Sequence, residues 1–176
     1  MPTAPIRRSI FFAKDAPGWL DVEILDDDQN DVKALTDIRF AQEMTDHFHK
    51  VLDEEIVILQ DSTRFIIGGF SLGGFLSSCI WKTYPKKLGG VILYAASTVR
   101  NIPSEPVQED CPVFWVHGTE DPVIKYKVAM YCNNVLDTKK RAYIHLRREE
   151  LGHGIDKETE IEMRIFFRNI LLRPKL

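Results

Sequence analysis

The chain has 176 residues with a formal net charge of −3, 44% hydrophobic and 28% charged residues. That is enough chain for one domain spanning 1–176 with a sizeable core, in an ordinary globular composition. The near-neutral balance excludes a broad nucleic-acid or anionic-membrane surface, and Arg164, Arg168, Arg173 and Lys175 read as a solvated helix face and tail.

Residues 1–30 carry Pro2, Pro5, Pro17 and the run Asp26-Asp27-Asp28 without any sustained period. They read as an extended loop with one short strand around Ser9–Ala13. From Asp31 the pattern changes. Leu35, Ile38, Ala41, Met44, Phe48, Val51 and Leu52 recur at steps of three and four, with Arg39, Glu43, Asp46, Lys50 and Asp53 between them, which predicts an amphipathic helix. "RFIIGGFS" is a short apolar run ending in glycine and reads as a buried strand. "LGGFLSSCIWKTY" continues at helical period and stops before Pro85. "LGGVILYAAS" and "CPVFWVHG" are two more buried strands, and "VIKYKVAMYCNNVLD" is a helix. "RAYIHLRR" is a fourth strand, and "KETEIEMRIFFRNILL" closes the chain as a helix. Alternating helices and near-continuously apolar strands, with no hairpin signal between them, predict an α/β fold with a mostly parallel sheet of about four main strands, covered on both faces. Ligands of such sheets bind beyond the carboxyl ends of the strands.

Two strand ends carry candidate chemistry, and a third candidate follows the fourth strand. "IGGFSLGG" gathers four of the chain's ten glycines around Ser71. Glycine is needed where φ is positive or where backbone approaches something closely, and Gly69-x-Ser71-x-Gly73 fits a sharp strand-to-helix turn with a serine at its tip. Asp121 lies in the turn "WVHGTEDPV" and His153 in "ELGHGID". The order Ser71, Asp121, His153 is that of the α/β-hydrolase triad. In such a triad Asp121 orients the imidazole, His153 takes the proton and Ser71 attacks a carbonyl. Singly, each has an ordinary reading: a chance glycine pattern, a turn, a surface-loop histidine. Their joint placement at strand ends favours the triad. Because Asp121 and His153 are expected in loops, losing either should cost the fold little.

Other readings are weaker. Gly68 to Gly73 has P-loop spacing, but Gly74-Phe75 stands where Lys-Ser/Thr is required. No G-x-G-x-x-G opens the first strand. His47 and His49 lie two apart on a helix and face different ways, against a metal pair. His117 reads as a structural hydrogen-bonding residue and His145 as a strand residue. Cys79, Cys111 and Cys132 are odd in number without C-x-x-C spacing, which predicts reduced thiols in a cytoplasmic setting. No apolar run approaches membrane-spanning length and "MPTAPIRRSIFF" has no signal-peptide core, so no stable membrane insertion is expected.

The segments "PTAP", "APGWLDV", "STRFIIGGFSLGGFLS", "KLGGVILYAAS", "VFWVHGTEDPVI" and "ELGHGI" resemble the acyl-protein thioesterase group of the phospholipase/carboxylesterase family of α/β-hydrolases. The resemblance implies a three-layer α/β-hydrolase sandwich. It also implies hydrolysis of acyl thioesters or carboxylic esters through an acyl-serine intermediate, without cofactor or metal. The substrate would be an acylated protein, a small ester or a lysophospholipid, and no nucleic acid. Trp19 matches a position near the family's acyl-binding cleft, a substrate contact whose alternative is simple loop packing. Family members usually have Gln where Leu72 stands. An oxyanion site needs only the backbone N–H there, which leucine keeps.

Family members also begin with a strand, a histidine-glycine oxyanion loop and another strand ahead of the segment resembling "MPTAP". On that comparison the chain is expected to be shortened at its N-terminus, as a partial gene or a short isoform would be. "RFIIGG" would then be an exposed sheet edge, a route to self-association, and activity would be impaired by loss of an oxyanion donor. The alternative function is a catalytically silent hydrolase fold acting as a binding module.

Overall fold

A computed structural model describes residues 3–9, 12–22, 38–39, 41–98, 110–133 and 143–172. Its centre is a parallel sheet of β5 (Ile66–Phe70), β6 (Gly90–Tyr94), β7 (Val113–Gly118) and β8 (Tyr143–Arg148), hydrogen-bonded in that order. Every residue of β6 and β7 is buried, whereas β5 is half-buried to exposed. Side chains alternate across the sheet, as strand geometry requires. Val91, Leu93, Val113 and Trp115 face a cluster containing Phe75, Leu76 and Ile80 of helix α2 (Leu72–Thr83), Met44 and Leu52 of α1 (Ala41–Leu59), and Ala129 of α3 (Tyr126–Asn133). Ile92, Tyr94, Phe114 and Val116 face the other way, onto Phe166 and Ile170 of α4 (Lys157–Leu171). The result is the expected three-layer α/β sandwich. Full burial of a Val, Leu or Phe side chain contributes about 1.5–3 kcal/mol, while a surface ion pair such as Lys86–Asp53 contributes only about 0–1 kcal/mol. The two central strands therefore dominate the stability, which is why they read as unbroken apolar runs.

Local signals set the ends of these elements. Pro85 pushes its predecessor out of the helical region, and Tyr84 stands at φ −73°, ψ 126° immediately after α2. Asp156 caps α4, its side chain accepting from Thr159 N, with Glu158 and Glu160 in the first turn. Among the described residues no helix is long and apolar enough to cross a membrane. Cys79, Cys111 and Cys132 are buried and form no disulfide, and burial pushes the Cys79 thiol up to about 12, which makes it unreactive.

Two expectations need correction. The N-terminal region contains an antiparallel hairpin, β1 (Ile6–Ser9) with β2 (Lys14–Pro17), and not one strand at Ser9–Ala13. The link Ile10-Phe11-Phe12-Ala13 lacks the usual turn residues. Its left-handed conformation falls on Ala13 (φ 54°), and Phe12 N donates to Ser9 Oγ at 3.1 Å. Arg7 ties this hairpin to Glu43 on α1 at 2.7 Å. The helix predicted from Asp31 begins at Ala41. Ile38–Arg39 form a short strand, β4, paired antiparallel with β3 (Asp21–Val22). Steps of three cannot mark where a helix starts, and pairing with distant Asp21–Val22 overrides the pattern. Leu35 lies outside the described residues.

Candidate active site

Ser71 follows the last residue of β5 and precedes the first of α2. Its backbone stands at φ 52°, ψ −119°, a region that costs a non-glycine residue about 1–3 kcal/mol and is met mainly at functional sites. Neighbouring groups hold it there. Ser71 N donates to Tyr94 O at 2.8 Å, while Ser71 O accepts from Gly74 N at 2.9 Å and Phe75 N at 3.1 Å. The serine occupies the N-cap position, yet its side chain makes no capping hydrogen bond. Its Oγ makes no hydrogen bond among the described residues.

The glycine cluster serves proximity, because no glycine among the described residues has positive φ. A Cβ added to Gly69 would lie 2.3 Å from the Gly73 carbonyl carbon, where α2 turns back against β5. Backbone cannot yield as a side-chain tip can. Gly69→Ala is therefore expected to lower the thermal midpoint sharply and reduce soluble yield; a midpoint within a degree or two of the parent would show that the turn has slack.

Asp121 sits in the turn after β7, and its side chain is fully buried. Oδ1 accepts from Val123 N at 2.8 Å and Ile124 N at 2.9 Å. This wrapping of 121–124 around the carboxylate delays α3 to Tyr126, later than the apolar pattern beginning at Val123 suggests. Oδ2 meets His153 Nδ1 at 2.7 Å and His117 Nε2 at 3.3 Å. Burial works to raise the Asp121 pKa, but hydrogen bonds from His117, Ile124, His153 and Val123 outweigh it and hold it at about 2. An ionised carboxylate at this depth is tolerable because each oxygen is hydrogen-bonded.

His153 is half-buried in the loop between β8 and α4. Glu120 N donates to Leu151 O at 3.1 Å and Thr119 N to Arg148 O at 2.8 Å, tying its loop to that of Asp121. Gly118 permits this approach, since a Cβ there would lie 2.0 Å from Leu151 O. With Nδ1 on Asp121, Nε2 is the nitrogen free to face a reacting group. The Phe70 ring lies 4.8 Å from the imidazole, centroid to centroid, so the residue just before Ser71 touches the histidine. Ser71, Asp121 and His153 are thus brought to one end of the sheet. Nucleophile–base hydrogen bonds are commonly long until substrate binds.

Leu72 opens α2, so its N–H has no acceptor within the helix. Its side chain packs on the apolar cluster beneath α1 and α2, which Trp19 also borders. Trp19 stacks on His47 (6.1 Å) and meets Phe48 edge-on (5.1 Å). Both rings belong to α1. His49 turns to Thr83 Oγ1 at 3.1 Å, so His47 and His49 do face different ways. Among the described residues no group of three or more His, Cys, Asp or Glu side chains is arranged to hold a metal ion. His145 stacks on Trp115 at 4.0 Å as a strand residue. Sequence reasoning missed the Phe70 contact and the proximity of His117 to the carboxylate. The only available signals were that Phe70 is the variable residue before Ser71 and that His117 stands four before Asp121.

Comparison with known proteins places this geometry among relatives. An acyl-protein thioesterase 1 of Neurospora crassa is 27% identical over 141 residues, covering 77% of this chain and 57% of the relative. One of Cryptococcus neoformans is 33% identical over 135 residues, covering 72% and 53%. The crystal structure of Arabidopsis thaliana SOBER1 superposes with a TM-score of 0.82 at 22% identity, over 97% of this chain and 82% of that one, a likeness of fold. The chain spans about half the length of the curated relatives it matches. The sequence profile of the phospholipase/carboxylesterase family matches residues 1–170, and the chain belongs to that family.

Proposed function

We propose that the protein is a serine hydrolase that cleaves acyl thioesters or carboxylic esters through an acyl-serine intermediate. The observation that carries this reading is the 2.7 Å contact of His153 Nδ1 with a buried, ionised Asp121, beside the strained turn bearing Ser71. Ser71 Oγ attacks the acyl carbonyl carbon as its proton passes to His153 Nε2. Asp121 stabilises the resulting imidazolium, and the Leu72 N–H donates to the oxyanion. Collapse expels the thiol or alcohol, which takes the proton from His153. Water then repeats the sequence on the acyl-serine and frees the acid. Relatives named acyl-protein thioesterase favour an acylated protein as substrate, with small esters and lysophospholipids next. Trp19 remains the proposed contact for the acyl group. Buried cysteines outside any disulfide suit a cytoplasmic setting. Treatment with a fluorophosphonate, followed by intact-mass analysis, tests the reading: one adduct on the parent chain supports it, and no adduct overturns it.

A second reading, a binding module with little activity, draws on β5. Among the described residues this strand stands at the margin of the parallel sheet, and Phe70 is exposed. A marginal strand with apolar side chains is a template for further strand pairing. The 176-residue chain is therefore expected to self-associate. Light scattering checks this, and a monodisperse chain would refute it.

A further inference from the structure

His117 is the one group touching the Asp121 carboxylate that the proposed reaction leaves without a part. It ends β7 next to Gly118, and its side chain is wholly buried. Nε2 lies 2.7 Å from Ile124 O and 3.3 Å from Asp121 Oδ2. A carbonyl and a carboxylate can only accept, so Nε2 carries the proton and shares it between them, with the shorter arm on the carbonyl. Nδ1 is buried without a hydrogen-bond partner among the described residues. A histidine kept only for core hydrogen bonding would be expected to satisfy both nitrogens, because an unmade buried bond is costly. Here the ring is committed through Nε2 alone.

The connections form a closed loop. Ile124 N donates to Asp121 Oδ1, Ile124 O accepts from His117, and His117 reaches Asp121 Oδ2. The first link fixes one carboxylate oxygen against the turn. The last meets the oxygen that faces His153. Rotation of the carboxylate about its Cβ–Cγ bond would break contacts at both ends. Without His117, Oδ2 would keep His153 as its only donor among the described residues, and the carboxylate plane would be held from one side only.

We propose that His117 is a positioning residue. Anchored on Ile124 O, it holds Asp121 Oδ2 aimed at His153 Nδ1, and so keeps His153 Nε2 directed at the reacting group. The inference rests on the proposed hydrolase reading for its kinetic consequence, but its geometric content does not. Groups that orient a functional side chain from one step away typically change performance roughly 10–100-fold in metal sites, and an effect of that size is expected here.

The test uses His117→Leu, His117→Gln and His117→Asn in the full chain. Glutamine can place an amide N–H near the Nε2 position, whereas leucine supplies no donor and asparagine falls short. In nitrophenyl ester turnover, His117→Leu should lose roughly 10–100-fold in kcat with KM little changed, and His117→Gln should recover most of that loss. Proton NMR at low temperature provides a readout independent of activity. The His153 Nδ1–H resonance, assigned by its loss in His153→Ala, should be seen in the parent and in His117→Gln, and should exchange away in His117→Leu. If His117→Leu does not fold, His117→Asn takes its place with the same expectation. An unchanged resonance and an unchanged kcat in a folded variant lacking the donor would overturn the proposal. A parent with no turnover and no phosphonate adduct would instead count against the hydrolase reading, and the resonance would still decide the role of His117.

Discussion

Ser71→Ala is expected to abolish ester turnover and fluorophosphonate labelling while leaving the fold in place. Alanine keeps the Cβ, so the strain at φ 52° is unchanged. The hydroxyl it removes neither caps α2 nor bonds elsewhere among the described residues. Nothing structural is lost with Oγ, so the thermal midpoint should stay within a degree or two. Kinetically, removing the nucleophile of another serine hydrolase costs roughly 10⁶ in kcat, and a loss of that order is expected. Ser71→Gly separates the two properties of the site. It should be equally inactive but more stable, because glycine relieves backbone strain worth about 1–3 kcal/mol. Mass spectrometry and calorimetry on the two variants check both halves, and labelling that persists in Ser71→Ala would sink the assignment of the nucleophile.

His153→Ala should lower kcat by roughly 10⁶ and Asp121→Asn by roughly 10⁴, and the two should differ in stability. His153 is half-buried; its truncation removes one ring contact from Phe70, which keeps Tyr94, and one donor from Asp121, which keeps His117, Val123 and Ile124. Its midpoint should barely move. Asp121 departs from the expectation that a loop residue matters little to the fold, because its carboxylate organises residues 121–124 from a fully buried position. Asparagine can keep one oxygen for Val123 N and Ile124 N, but its amide group then meets the N–H groups of His153 and His117, donor against donor. The variant should therefore be both inactive and less stable.

The pH dependence has a definite sign. Asp121 is held at about 2 in the folded chain, below the ordinary 3.8. Its contribution is complete above the unfolded value and is lost as pH falls from about 4 through about 2. Thermal midpoints across that window should drop more steeply in the parent than in Asp121→Asn. Parallel curves would mean that the carboxylate is not the group titrating there.

The layers and the candidate reacting groups were both legible in the sequence. β6 and β7 are covered on both faces, so they are apolar at nearly every position and were legible without any partner in view. The repeat of α4 was legible because Met163, Phe166, Phe167 and Ile170 pack against the sheet at helical spacing. Ser71, Asp121 and His153 could be named because only a few polar residues stand at strand ends, and their chain order is characteristic. Tertiary structure decided the rest. The hairpin of Ile6–Ser9 with Lys14–Pro17 was hidden because neither strand has a fully buried position to mark it with an apolar side chain, and its link lacks the usual turn residues. The start of α1 at Ala41 depends on the pairing of Ile38 with Val22, a contact across the chain that no local period encodes. The purpose of the glycines was settled by distance: Gly69 is small because Gly73 is near, while the strained φ falls on the serine. His117 could not be separated from an ordinary core histidine until the turn at 121–124 brought a carbonyl and a carboxylate to the same nitrogen. Periodicity records which face of an element is buried, because burial acts on each side chain along the chain. Convergence at a site arises between segments far apart in sequence, and only the folded backbone brings their atoms within hydrogen-bonding reach.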